Sequence, residues 1–222
     1  MVDNAADATL LIRTSCPHCA SVAEAVLRLT KMGKLGRLEL INLDLRPEPA
    51  QALGVRSVPW LKLGRFELVG ARSFHELEDW AEHAAAGSGW PEYLLALLSE
   101  QQLTRVIALL REHPQHLSDL LDRMTNEQLE MGARIGISAV VEELAETPAL
   151  RACVPQLIEL TLSAYPQTRA DACHFLGLAG DPTAAAAVRR LLQDESEDVR
   201  EIAVETLAVL DGSDDLEEST GC

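Results

Sequence analysis

Strand-like periodicity ends near Val69, and helix-like periodicity fills the chain from about Pro91 to Leu210; this asymmetry limits the fold more than any other feature. Up to Ala86 the patterns run strand, helix, strand, helix, strand, strand, helix. Thr9-Leu10-Leu11-Ile12 is a short apolar run, and helical spacing follows from Ala20 to Met32. Arg37 to Leu43 alternates and then turns apolar, as a buried strand does. Pro47 and Pro49 open a short helix that Gly54 ends. Trp60–Leu63 and Arg65–Val69 flank Gly64 as a hairpin, and Ser73 with Glu76 forms a capping box for a last helix. A helix between two strands implies a crossover and parallel pairing, and the hairpin adds an antiparallel edge. The expected architecture is a two-domain α+β/α chain. Residues 1–86 form a minimal βαβαββα domain, 87–91 a linker, 92–210 an all-α array, and 211–222 a disordered acidic tail.

The array repeats itself. Arg169, Ala172 and Leu176 recur as Arg200, Ala203 and Leu207, each 31 residues on, and Asp181-Pro182 opens the unit between them. This segment resembles HEAT repeats of the short bacterial PBS-lyase type, most closely over DESEDVREIAVETLAVL. The resemblance implies stacked helices that bind protein, because a single repeat cannot bury its own apolar face. Charge divides with the fold. Of 19 Lys and Arg, 10 lie in residues 1–88, and of 35 Asp and Glu, 11; the remainder holds 9 against 24. An acidic half repels phosphate backbones and anionic lipid, which argues against nucleic acid and membranes as partners. It suits a basic protein surface, although acidity also serves solubility.

Cys16-Pro17-His18-Cys19 stands where the first strand gives way to the first helix. Two cysteines at this spacing can close a small ring, with the upstream thiol at the helix N-terminus, where unpaired N–H groups favour the thiolate. The same spacing is also half of a zinc site, and two thiolates can hold Cu(I). No second CxxC and no HxxxH completes a tetrahedral set, so no metal and no cofactor is expected. With Gly54-Val55-Arg56-Ser57-Val58-Pro59, Gly64 and Val69-Gly70-Ala71, the first 85 residues or so resemble a thioredoxin fold of glutaredoxin-like length. The resemblance implies a nucleophilic Cys16, a resolving Cys19, a cis Pro59 facing them, and a Val58 backbone that meets an extended substrate. Pro17 and Trp60 would join that surface. Leu10 departs from the buried carboxylate of thioredoxins, Ser15 from their Trp and Trp60 from their usual Thr. The Pro-His pair resembles periplasmic disulfide oxidases, in which the His tunes the thiolate; His18 is otherwise an exposed turn residue.

Nothing at the N-terminus reads as a signal peptide, and no apolar stretch is long enough to cross a bilayer, so the expected compartment is the cytoplasm. Cys153 and Cys173 fall on array helices, with Cys173 expected as a small buried hydrophobe; Cys222 has no assigned role. Two functions compete. One is a thiol-disulfide oxidoreductase acting on proteins, its array choosing the partner and a thioredoxin-reductase or glutathione-type system reducing it. The other is a redox-sensing adaptor or assembly factor whose cysteines turn nothing over.

Overall fold

The structure is a computed structural model and describes residues 5–217. The chain divides into two compact units, Met1–Gly89 and Trp90–Cys222.

The first unit contains β1 (Ala6–Ile12), α1 (Cys19–Lys31), β2 (Leu35–Asn42), α2 (Glu48–Ala52), β3 (Trp60–Leu63), β4 (Phe66–Val69) and α3 (Phe74–Ala86). Its sheet has the order β2-β1-β3-β4. The crossover through α1 makes β1 and β2 parallel, whereas β1–β3 and β3–β4 are antiparallel. Gly64 turns the β3–β4 hairpin with a φ of 55°, a conformation that suits glycine. Leu10, Leu61 and Leu68 sit side by side in register on one face. Phe66 shares that face, and its ring centre lies 5.0 Å from that of Trp80 on α3. On α1, Val22, Val26 and Leu29 are buried. On the opposite face Ile41, Leu11, Trp60 and Val69 form one row across all four strands. Leu43 closes this second cluster, with Ala50, Val55 and Val58 packed against it. β1 alternates up to Thr9 and is buried on both faces at Leu10 and Leu11, where successive residues are apolar.

Trp60 corrects an expectation. Its place after Pro59 points to a substrate surface, yet it is 3% exposed and belongs to the cluster with Leu11 and Leu43. Its pairing with Leu11 turns the ring inward, because side chains in register share a face. At the end of the unit Ser73 caps α3 as expected: its Oγ accepts from Glu76 N–H, and Glu76 Oε2 accepts from Ser73 N–H at 2.8 Å.

The second unit has only helices among its described residues. They are α4 (Trp90–Ser99), α5 (Leu103–Glu112), α6 (His116–Leu121), α7 (Met131–Glu143), α8 (Pro148–Ala152), α9 (Val154–Leu160), α10 (Pro166–Ala179), α11 (Ala185–Leu191) and α12 (Glu197–Glu217). Two further boundaries differ from expectation. Trp90 and Pro91, expected in a linker, already belong to α4, where proline fits the first turn. The acidic segment expected to be disordered from Asp211 continues α12 as far as Glu217, and the rest of it lies outside the described residues. A lone Gly212 is tolerated inside a helix at a cost of about 1 kcal/mol, and Asp211 pairs with Arg189 at 3.1 Å.

The 31-residue repeat has a chemical basis. Arg169 donates from one guanidinium nitrogen to the carbonyls of Ser163 and Ala164; Arg200 does the same to Asp194 and Glu195, the equivalent pair. Each arginine ties its own helix to the loop that enters it. Arg169 also forks onto the Asp194 carboxylate with two bonds of 2.7 Å, and both side chains are nearly buried. Hydrogen bonding to Arg169 holds the Asp194 carboxyl below the usual carboxylate range. Breaking a buried pair strands the remaining charge. Asp194→Ala should therefore lower the unfolding free energy by about 3 kcal/mol in urea titrations at neutral pH. A depressed folded-state pKa contributes stability above the unfolded value and loses it as pH falls. The gap between wild type and variant should accordingly narrow below about pH 4.

Candidate functional site

Strand β1 ends at Ile12, and the loop leaving it is tied to the end of β2. Leu43 N–H donates to Ile12 O at 2.9 Å, and Thr14 N–H donates to Asp44 Oδ2 at 2.8 Å. Asn42 Nδ2 donates to Thr14 Oγ1 at 3.1 Å, while its Oδ1 accepts from Asp44 N–H. The Thr14 backbone N–H, then its side chain, hold the Asp44 carboxyl below its ordinary range, with Arg13 adding attraction. Cys16 N–H then donates to Arg13 O, and Cys19 N–H to Cys16 O. The cysteines therefore sit on a turn pinned to two strands.

Cys16 and Cys19 are joined as a disulfide, with Cα atoms 5.5 Å apart. Cys19 is the first residue of α1 and is buried; Cys16 precedes the helix and is partly exposed. The expectation of Cys16 at the helix start thus shifts by one turn, with His18 taking the N-cap position and its carbonyl accepting from Val22 N–H. Pro17 and His18 are exposed beside the pair. Cys16 Sγ lies 3.8 Å from the Val58 carbonyl oxygen, and the Val58–Pro59 peptide bond is cis. Gly70 N–H donates to Pro59 O at 2.9 Å, fixing this segment to the end of β4. The fold so gathers Cys16, Cys19, Val58 and Pro59 in one place, with Trp60 buried in the cluster against which Val58 packs.

Several residues here escape sequence reasoning. Arg13 and Arg56 line an open groove with Leu43, Val55, Ser57 and Val58, which continues along Ala50 and Gln51. Asn42 and Asp44 supply the clamp on Thr14. Their only local sign is an Asn two residues before an Asp at a strand end, the pattern of a side-chain-closed turn.

The other described cysteines are different in kind. Cys153 and Cys173 are buried thiols, and burial pushes both up to about 11. Cys153 donates to Ala149 O, and Cys173 lies 3.7 Å from Thr206 Oγ1. Cys222 lies outside the described residues. Among those residues no group of three or more His, Cys, Asp or Glu is arranged to hold a metal ion, and no helix is long and apolar enough to cross a membrane.

Chemically, then, the chain carries a cysteine pair, with Cys16 partly exposed and Cys19 buried, that forms a disulfide and takes up two electrons when reduced to the dithiol. The sequence pattern of HEAT repeats matches residues 137–218, which begin within α7 and include all of α12. Among curated proteins none matches the chain. HEAT repeats commonly mediate contacts between proteins.

The thiols should separate by burial and acidity. After reduction, iodoacetamide at mildly alkaline pH should modify Cys16 ahead of Cys19, while Cys153 and Cys173 stay unmodified until the protein unfolds. Peptide mapping of the adducts reads the order; modification of Cys19 before Cys16 would reverse their assignment.

Proposed function

We propose that the protein is a cytoplasmic thiol-disulfide oxidoreductase of thioredoxin-like fold that acts on other proteins and whose HEAT-type helices select them. The observation that carries this reading is the partly exposed Cys16 sulfur beside the Val58 carbonyl, with Cys19 buried behind it. In the reducing direction, the Cys16 thiolate attacks one sulfur of a substrate disulfide and releases the other as a thiolate. Cys19, once deprotonated, attacks the Cys16 sulfur of the mixed disulfide. The second substrate thiolate leaves, and the Cys16–Cys19 disulfide holds the two electrons' worth of oxidation. Reversal of the same steps oxidises a dithiol substrate. His18, exposed beside the pair, is the residue we assign to tuning the Cys16 thiolate, and the backbone at Val58 and Pro59 is the surface for an extended substrate.

Resetting the disulfide requires a dithiol or glutathione-type reductant. The groove bearing Arg13 and Arg56 favours a carboxylate-bearing one, since guanidinium pairs well with carboxylate. An adaptor that senses redox state without turnover is the second reading, and the HEAT match over residues 137–218 is the observation that favours it.

Insulin reduction discriminates the two. Cys16→Ser should abolish turnover, and Cys19→Ser should trap mixed disulfides with partners, because the attacking thiol remains while the resolving one is gone. Wild type no faster than Cys16→Ser would leave the adaptor. Replacing Arg13 and Arg56 together by Ala should lower glutathione-driven turnover about tenfold and leave dithiothreitol-driven turnover unchanged. An equal loss with both reductants would place the arginines' role in the fold.

A further inference from the structure

We infer that two copies of the protein associate through β2, their edge strands pairing antiparallel about Leu38. Strand β2 ends the sheet, with β1 on one side and no described strand on the other. Such an edge offers a row of backbone donors and acceptors, which proteins often blunt with proline or lysine. Strand β2, Leu35–Asn42, contains neither, and the two charges it does carry, Arg37 and Glu39, are of opposite sign. A groove along its second half is bordered by Leu40, Ile41, Leu45 and Pro49; Leu40 is 48% and Leu45 81% exposed.

The strand is complementary to itself in one register. Side chains alternate between faces, so Arg37 and Glu39 share one face, where they lie 3.6 Å apart and well exposed. An antiparallel pair with its two-fold axis at Leu38 sets Arg37 of each copy opposite Glu39 of the other, giving two attractive cross-strand pairs. On the other face Leu38 meets Leu38, and Leu40 meets Gly36, which has no side chain. Moving the axis to residue 37 or 39 sets Arg37 against Arg37 or Glu39 against Glu39, which repel. A pair of this kind is isologous and closes on itself, joining two four-stranded sheets without leaving either β2 edge open. This charge complementarity of β2 with itself is what favours a second copy over a foreign peptide as the occupant.

Sedimentation equilibrium of the full-length protein over a wide concentration range tests this. Wild type should show a monomer–dimer equilibrium. Glu39→Arg and Arg37→Glu should each weaken it about tenfold or more, since either change turns both attractive pairs into repulsive ones. Mixing the two variants should restore association, because a strand with two arginines then faces one with two glutamates. Near-ultraviolet circular dichroism confirms that each variant is folded. A wild type that stays monomeric throughout, a dimer indifferent to both substitutions, or variants that fail to associate on mixing would each overturn the inference.

Discussion

Strand β1 is hydrogen-bonded on both sides and, at Leu10 and Leu11, buried on both faces, and the cysteine pair hangs from its end. Leu10 and Leu11 are both fully buried, one toward each face. Removing water from a side chain of that size contributes about 1.5–3 kcal/mol. The register they set has a geometric consequence. A slip of one residue would exchange the two faces of β1 and drive its apolar residues into the wrong clusters. With the slip forbidden, the end of β1 meets the end of β2 through Leu43 and Asp44, and the start of β3 through the pairing of Leu11 with Trp60. Those two neighbours are what place Val58 against Cys16. The apolar row Ile41-Leu11-Trp60-Val69 therefore positions the site without touching the cysteines.

Much of this was legible in the sequence because it depends on short-range pattern. The order of seven elements in the first unit follows from period, proline placement, the glycine of the hairpin and the Ser73–Glu76 box. The cysteine pair at a strand end was legible for the same reason. What was not legible depends on partners distant in sequence. Trp60 reads as exposed if it is taken only as the residue after Pro59; its burial is decided by its register with Leu11, 49 residues earlier. The Thr14–Asp44 clamp spans 30 residues. The acidic run after Asp211 suggests disorder by composition, but Arg189, which gives Asp211 its partner, lies on another helix.

The array shows why one part of a repeat is easy to see and another is not. Arg169 and Arg200 recur at a fixed spacing because each must reach the same two carbonyls of its entry loop. A geometric task of that kind preserves both residue type and interval. Arg134 also lies largely buried on a helix, yet it binds Asp171 at 2.6 Å and the Met124 carbonyl, ten residues back. Its entry segment includes a 3-10 turn over Asp122–Thr125, and the carbonyl it reaches lies ten residues back, where Arg169 and Arg200 reach six and five residues back. The equivalents Leu176 and Leu207 diverge differently: the first is fully buried, and the second is only half-buried, because no described helix follows α12 to cover it.

The same arginines bear on the charge of the second unit. It has few cations, and the structure occupies several of them internally. Arg134 and Arg169 are nearly buried against Asp171 and Asp194, Arg200 serves backbone carbonyls, and Arg123 is paired with Glu92. Each such ion pair removes one acid with one cation, so the unit's acidic excess is unchanged and rests on the carboxylates that remain. Exposed charge acts over about 8–10 Å at physiological salt, so what an approaching protein feels is this local excess, not the total. Arg134 and Arg169 are thus withdrawn with their partner aspartates, and the surface is acidic by composition. That field favours encounter with basic partners, and it does so by raising the rate of approach, whereas the residues in final contact decide which partner stays.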